Sequence, residues 1–254
     1  MPYFKYKNKS CYYEEIGSGK PLIFLHGNTA SSKMFSLIIE NYTSEYKVIL
    51  IDFLGHGKSD RLEKFPIDFW YDQGEQVIEF LKQKEYKDVY IIGCSGGSLA
   101  AINVALEAPE LVKKVIADSF EGEIPLKIYT ENIAKDRLDS KKDENARMFY
   151  HYMHGDDWES IVDKDTIVTL EHNKNIGKFF HKPLNELKVN ILMTGSKEDD
   201  VIGCNNKNFL EDTYKAINEK VLNGEYYIFE NGGHPAMISN WEKFIEISKN
   251  FLSK

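Results

Sequence analysis

The sequence predicts an α/β protein with a mostly parallel central sheet, helices on both faces and one helical lid insertion. Three observations carry that expectation. Short runs of Val, Ile, Leu and aromatics recur along the chain and end at Gly or a polar turn, amphipathic stretches separate them, and one long charged segment lacks any run of this kind. Apolar runs bounded by turns read as parallel strands buried on both faces. Their alternation with helical patterns implies a sheet layered between helices.

In chain order, Tyr3–Lys7 and Cys11–Ile16 flank Asn8-Lys9 and predict a hairpin at one sheet edge. Core strands are expected at Pro21–His26, Lys47–Asp52, Asp88–Gly93, Val112–Asp118, Val189–Thr194 and Glu225–Glu230. Helices are expected at Asp72–Lys84, with Val77, Phe80 and Leu81 on one face, at Ser98–Leu106 and at Trp241–Leu252. From Glu121 to Leu187 the patterns are helical, for example Ile133–Tyr152 and Trp158–Glu171. The expected division is a core of residues 1–120 and 188–254 carrying a lid of residues 121–187.

The 254 residues, 42% of them hydrophobic, suffice for a large core without covalent staples. A net charge of −8 repels phosphate backbones and argues against nucleic-acid partners. The cysteines, Cys11, Cys94 and Cys204, number three and lack CxxC spacing, which argues against a disulfide framework or a zinc site. Met1–Ser10 has no apolar signal region, and no stretch approaches the ~20 apolar residues that span a bilayer. A cytoplasmic protein without membrane association is expected, so the sequons at Asn8 and Asn41 carry no weight. Gly17-Ser18-Gly19-Lys20 is no phosphate loop, because Glu14 stands at the first Gly position and Pro21 at the Ser/Thr position.

The chemistry concentrates in turns after the strands. Gly93-Cys94-Ser95-Gly96-Gly97 fits G-x-S-x-G between an apolar run and a helical run. A nucleophile presented on so sharp a turn needs flanking glycines to let strand and helix approach. Serine requires a base. Of the seven histidines, His234 in Gly232-Gly233-His234 follows the last strand, at the sheet edge where a base reaches the nucleophile. His151, His154, His172 and His181 fall in the lid and read as surface or packing residues. An acid to orient the imidazole is expected in Gly195-Ser196-Lys197-Glu198-Asp199-Asp200. Counting back from Val201-Ile202 favours Asp199, counting forward from Gly195 gives Glu198 as the alternative, and Asp200 reads as a solvated loop residue. Two N–H donors for an oxyanion are expected from Gly96 and from Asn28 in Leu25-His26-Gly27-Asn28-Thr29. His26 reads as packing beneath that turn. Asp52-Phe53-Leu54-Gly55-His56-Gly57-Lys58-Ser59-Asp60 reads as a structural turn. Cys94 is expected to be buried and inert, facing away from Ser95.

With HGN, DFLGHGKSD, GCSGG, GSKEDD and NGGH in this order, the chain resembles the α/β-hydrolase superfamily over nearly its whole length. Residues 65–117 also resemble the valacyclovir hydrolase branch through FPIDF, GCSGG and ALEAPELVKKVI. That branch cleaves amino-acid esters and carries Asp directly after the nucleophile, where this chain has Gly96. The resemblance, with Ser95, implies a serine hydrolase with no metal and no organic cofactor. The expected reaction is cleavage of a small carboxylic ester, on a chain that is a monomer or a homodimer. Thioesterase, amidase or aminopeptidase, and carbon–carbon bond hydrolase activities share the motif set, and a non-catalytic binding protein on the same scaffold is the other class. Phe120 and Thr29 are expected to line the substrate pocket. Tyr129, Phe149, Tyr150, Tyr152, Trp158, Phe179 and Phe180 are lid aromatics that would either line it or pack the lid onto the core.

Overall fold

The computed structural model describes residues 2–202 and 206–254. Two strands, β1 (Tyr3–Tyr6) and β2 (Lys9–Ile16), form the expected edge hairpin. Its turn falls on Lys7-Asn8, both at positive φ, rather than on Asn8-Lys9. Such a two-residue turn matches the natural twist of a hairpin. Then follow β3 (Lys20–Leu25), β4 (Tyr46–Ile51), α1 (Phe69–Gln83), β5 (Val89–Cys94), α2 (Gly96–Glu107) and β6 (Val112–Asp118). Helix α1 begins at Phe69 rather than Asp72, because Phe69 and Trp70 are buried and draw the first turn onto the core.

Between β6 and β7 (Asn190–Ser196) the described residues contain no strand. They hold α3 (Lys127–Ser140), α4 (Glu144–His154) and α5 (Trp158–Asn175). The pattern over Ile133–Tyr152 is thus two helices. Asp143 starts the second, its carboxylate accepting the Ala146 N–H at 2.8 Å. An N-cap of this kind competes with helix continuation. The chain closes with α6 (Phe209–Asn218), β8 (Gly224–Phe229), α7 (Ala236–Ser239) and α8 (Trp241–Ser253).

The eight strands lie in the order β1-β2-β4-β3-β5-β6-β7-β8, and every pair from β4 onward in that order is parallel. Alternate strand residues feed two core layers. Ile23, Ile49, Ile91 and Val115 pack with Val77, Phe80 and Leu81 of α1 and the apolar residues of α2. Leu22, Leu50, Ile92 and Cys94 pack on the other face with Phe244, Phe251 and Leu252 of α8. Cys11 and Cys94 are buried free thiols, and Cys204 lies outside the described residues. No described helix is long and apolar enough to cross a membrane.

The registers place the functional turns side by side. Leu25 pairs with Gly93, so the turn after β3 sits against the turn after β5. Ser196 pairs with Phe229, so the acidic loop after β7 meets the histidine loop after β8. All four turns gather at the carboxyl edge of the parallel sheet, where ligand sites of open α/β sheets form.

Candidate active site

Ser95 sits on the turn from β5 to α2 with φ 53° and ψ −122°. A non-glycine residue in that region is strained and persists only where its surroundings fix it. Here the Ser95 N–H donates to the Asp118 carbonyl at 2.7 Å, and the Ser98 N–H donates to the Ser95 carbonyl at 2.8 Å. The turn is tight enough to exclude side chains. A Cβ on Gly93 would lie 2.4 Å from the Gly97 carbonyl oxygen, and one on Gly97 would lie 2.1 Å from that of Leu25.

His234 Nε2 lies 3.0 Å from Ser95 Oγ, and its Nδ1 lies 2.8 Å from Asp199 Oδ2. The other carboxylate oxygen of Asp199 accepts the N–H groups of Ile202 at 2.7 Å and Val201 at 3.0 Å. Asp199 is the acid that meets the imidazole. Glu198 is exposed instead, with Lys207 at 3.8 Å. Asp200 is exposed, as a solvated loop residue would be, yet its carboxylate also accepts the His234 N–H at 3.4 Å. Burial opposes protonation of His234, but the Asp199 hydrogen bond and the charges of Asp199, Asp118 and Asp200 outweigh it and raise its pKa. Burial likewise acts to raise the Asp199 pKa, and the hydrogen bond to His234 with the two loop N–H groups lowers it overall. Beneath this pair, burial pushes the Asp118 carboxyl up to about 6 while it accepts from Thr194 and the Met237 N–H.

The turn after β3 closes the other side. A Cβ on Gly27 would lie 3.1 Å from that of Ser95. The Asn28 carboxamide oxygen accepts the Trp70 indole N–H at 3.1 Å. A Cβ on Gly96 would lie 2.0 Å from that oxygen and 2.8 Å from the indole nitrogen. The space beside Gly96 is therefore already filled by Asn28 and Trp70, and an Asp at position 96 has no room. His26 packs below, donating through Nδ1 to the Gly27 carbonyl and accepting the Phe53 N–H at 3.1 Å. In the turn after β4, Asp52 accepts the N–H groups of Ser32 and Lys58, each at 2.8 Å.

A cavity of about 910 Å³ opens above Ser95 and His234. Thr29 lines it, and so do Tyr129, Phe149, Tyr150 and Tyr152. Phe120 does not. It is fully buried, stacked on Tyr214 at 5.0 Å, and its N–H donates to the Tyr214 hydroxyl, so it belongs to the core layer under the sheet edge. Trp158 stacks on Tyr150, and Phe179 and Phe180 pack into the core. Cys94 borders the cavity, but its side chain lies in the core layer shared with α8, and burial pushes its thiol well up.

In the helical excursion, Arg137 falls in no motif of the sequence, and His154 reads there only as a surface or packing residue. Arg137 reaches the cavity from α3, with Asp165 of α5 at 3.5 Å. His154 is buried at the end of α4 between two core turns. Sequence alone gave no signal for either, because neither falls in a motif and both contact residues about a hundred positions away.

The model for the alpha/beta hydrolase fold matches residues 20–150, just over half of the chain. The chain belongs to the α/β-hydrolase fold family, and it is a hydrolase of that family. Over 95% of its length it is 24% identical to the 2-hydroxy-6-oxo-6-(2'-aminophenyl)hexa-2,4-dienoic acid hydrolase of Metapseudomonas resinovorans, 87% of which is covered. Its fold is similar to that of an esterase from Exiguobacterium antarcticum, with TM-score 0.75, 20% identity and coverage of 97% and 96% of the two chains. It is also similar to the meta-cleavage product hydrolase of Pseudomonas fluorescens IP01, with TM-score 0.74, 19% identity and coverage of 97% and 95%.

Proposed function

We propose that this hydrolase is a serine esterase that cleaves a small carboxylic ester through an acyl-enzyme. The observation that carries the reading is the unbroken hydrogen-bond chain Ser95–His234–Asp199 under a largely apolar cavity. His234 takes the Ser95 proton as Oγ attacks the ester carbonyl, and Asp199 holds the imidazole in the Nδ1–H tautomer and stabilises its charged form. The tetrahedral oxyanion is held by the N–H groups of Gly96 and Asn28. Gly96 opens the 12-residue helix α2, whose dipole favours negative charge at that end. The alcohol leaves with the proton from His234. A water activated by the same imidazole then attacks the acyl-enzyme and frees the acid.

Helices α3 to α5 form the lid of this reading. Their cavity-facing residues, among them Ile128, Ile133 and Phe149, suit an apolar acyl chain. The proposed steps use no metal or organic cofactor, and the ligand in this reading is a small-molecule ester rather than a nucleic acid or a membrane. A cytoplasmic location remains part of this proposal.

The test is hydrolysis of p-nitrophenyl esters from acetate to decanoate by wild type and Ser95→Ala. The expected loss in the variant is on the order of 10⁴-fold or more in kcat. Equal turnover by the two proteins sinks the assignment. A second reading, carbon–carbon bond hydrolysis, is favoured by the Metapseudomonas relative, whose match spans 95% of this chain. Absence of any ester turnover, together with Ser95-dependent cleavage of a vinylogous diketone, selects it. Tight binding without product on either substrate class selects a binding protein.

A further inference from the structure

The lid meets the oxyanion turn at Thr29. Two polar groups of Thr29, the hydroxyl and the carbonyl, meet different lid helices. Arg137 of α3 donates to its hydroxyl at 2.9 Å. His154 of α4 lies with Nε2 3.0 Å from its carbonyl oxygen. The Arg137 guanidinium lies 3.5 Å from the carboxylate of Asp165 on α5, which is fully buried.

The tautomer of His154 follows from its second contact. The Gly57 N–H donates to Nδ1 at 3.1 Å, so Nε2 carries the proton and donates to Thr29. Burial lowers the His154 pKa to about 4 and keeps the ring neutral, with one donor and one acceptor. Arg61 fixes the end of α4 by donating to the His154 carbonyl at 2.9 Å. Burial pushes the Asp165 carboxyl up to about 6, against the pull of the Arg137 charge.

Thr29 itself sits at φ 54°, where a β-branched residue is a genuine outlier. Its hydroxyl proton goes to the Asn28 carbonyl at 2.7 Å, so the groups that grip Thr29 also fix the peptide that follows the Asn28 N–H. Ser31 and Lys33 extend the seam, donating to the carbonyls of Met153 at 3.1 Å and Tyr152 at 2.6 Å. A roof that served only to cover the cavity would have no need to hold a strained core residue at both its hydroxyl and its carbonyl.

We propose that the lid helices are the scaffold of the oxyanion turn, with His154 and Arg137 as positioning residues that act on the Asn28 N–H through Thr29. This rests on the reading of Asn28 as an oxyanion donor. Donors in such a site count only when held at the place where charge develops, and a misplacement of about 1 Å costs up to about 10²-fold. The lid is then part of the catalytic framework as well as a wall.

The test compares wild type, His154→Leu, His154→Gln, Thr29→Val and Ser95→Ala on p-nitrophenyl butyrate, with near-UV circular dichroism checking each fold. His154→Leu removes the donor to Thr29, and His154→Gln supplies an amide N–H in its place. The expected result for His154→Leu is a fall in kcat of about 10- to 100-fold with KM within about threefold, and recovery of most of that loss in His154→Gln. Wild-type kcat in His154→Leu, or equal impairment of the Leu and Gln variants, overturns the proposal. If His154→Leu does not fold, Thr29→Val decides. It keeps the side-chain shape but removes the hydroxyl between Arg137 and the Asn28 carbonyl, and it must show the same kcat-selective loss. A silent Ser95→Ala would instead fail the esterase reading itself, whereas an inactive Ser95→Ala beside an unimpaired His154→Leu fails this proposal alone.

Discussion

Ser95 combines a strained backbone with a hydrogen-bonded His234, and in the proposed mechanism the charge around that imidazole sets the working pH. Acidic neighbours raise the His234 pKa although the ring is largely buried. The proposed mechanism needs the neutral imidazole, so activity appears as pH rises through that raised value. The acid limb of kcat/KM is therefore expected above the ordinary histidine value of about 6.5. In Asp199→Asn the limb should move down, and kcat should fall on the order of 10⁴-fold because the tautomer is lost. A pH–rate profile of both proteins checks this, and an unmoved limb would count against Asp199 as the source of the shift. The neighbouring Gly96 yields a second prediction. Gly96→Asp does not convert the site into one for amino-acid esters. The new side chain must displace the Asn28 carboxamide from Trp70, so butyrate and valyl esters should both lose turnover in that variant.

At the scale of elements, the site depends on how closely α2 approaches the sheet. The backbone at Gly97 lies against the carbonyls of Leu25 and His26, at the point where β3 gives way to the oxyanion turn. Neither group can swing aside as a flexible side chain would. Gly97→Ala is expected to destabilise the fold by about 1–3 kcal/mol or more, as overpacking does elsewhere. Urea unfolding measures it, and a midpoint equal to wild type would mean that the strand and helix separate at little cost. Helices α3 and α4 are divided for a different reason. The capping carboxylate of Asp143 starts a new helix, α4, whose last residue His154 meets the turns at Gly57 and Thr29.

Across the whole molecule, helix α4 and the core turns are joined by a buried neutral histidine, which links their contact to acid stability. His154 has a folded pKa of about 4, below its unfolded value of about 6.5. Between those values the unfolded chain binds a proton that the folded chain does not, so this contribution to stability is lost as pH falls. The stability gap between wild type and His154→Gln should shrink by up to about 2 kcal/mol from pH 7 to pH 5. Denaturant titrations at the two pH values test the sign, and a gap that widens on acidification would refute the link. In the proposed reading the same assembly sets the substrate range. A cavity of about 910 Å³ has space for an acyl chain well beyond acetate. Hydrolysis of p-nitrophenyl hexanoate or octanoate should therefore equal or exceed that of acetate in kcat/KM. A profile falling steadily from acetate would mean that the upper cavity is not used.

The sequence by itself determined the sheet, its parallel sense and the four turns that make the site. Those features are written in local pattern: apolar runs for β3 to β8, glycines where the backbone must pass close, and a serine, an acid and a histidine each following a strand. Asp199 could be weighed against Glu198 only by counting, because the geometry that separates them is the anchoring of one carboxylate by the N–H groups of Val201 and Ile202. Other features were set by packing at long range. Phe120 follows β6 just as a pocket residue could, but Tyr214 from α6 captures its ring. His154 and Arg137 look like ordinary lid residues until folding places them on Thr29, more than a hundred positions earlier in the chain. Local pattern fixes how each segment curls and which face it buries. Which side chains then meet across the sheet edge is decided by the contacts of the finished fold.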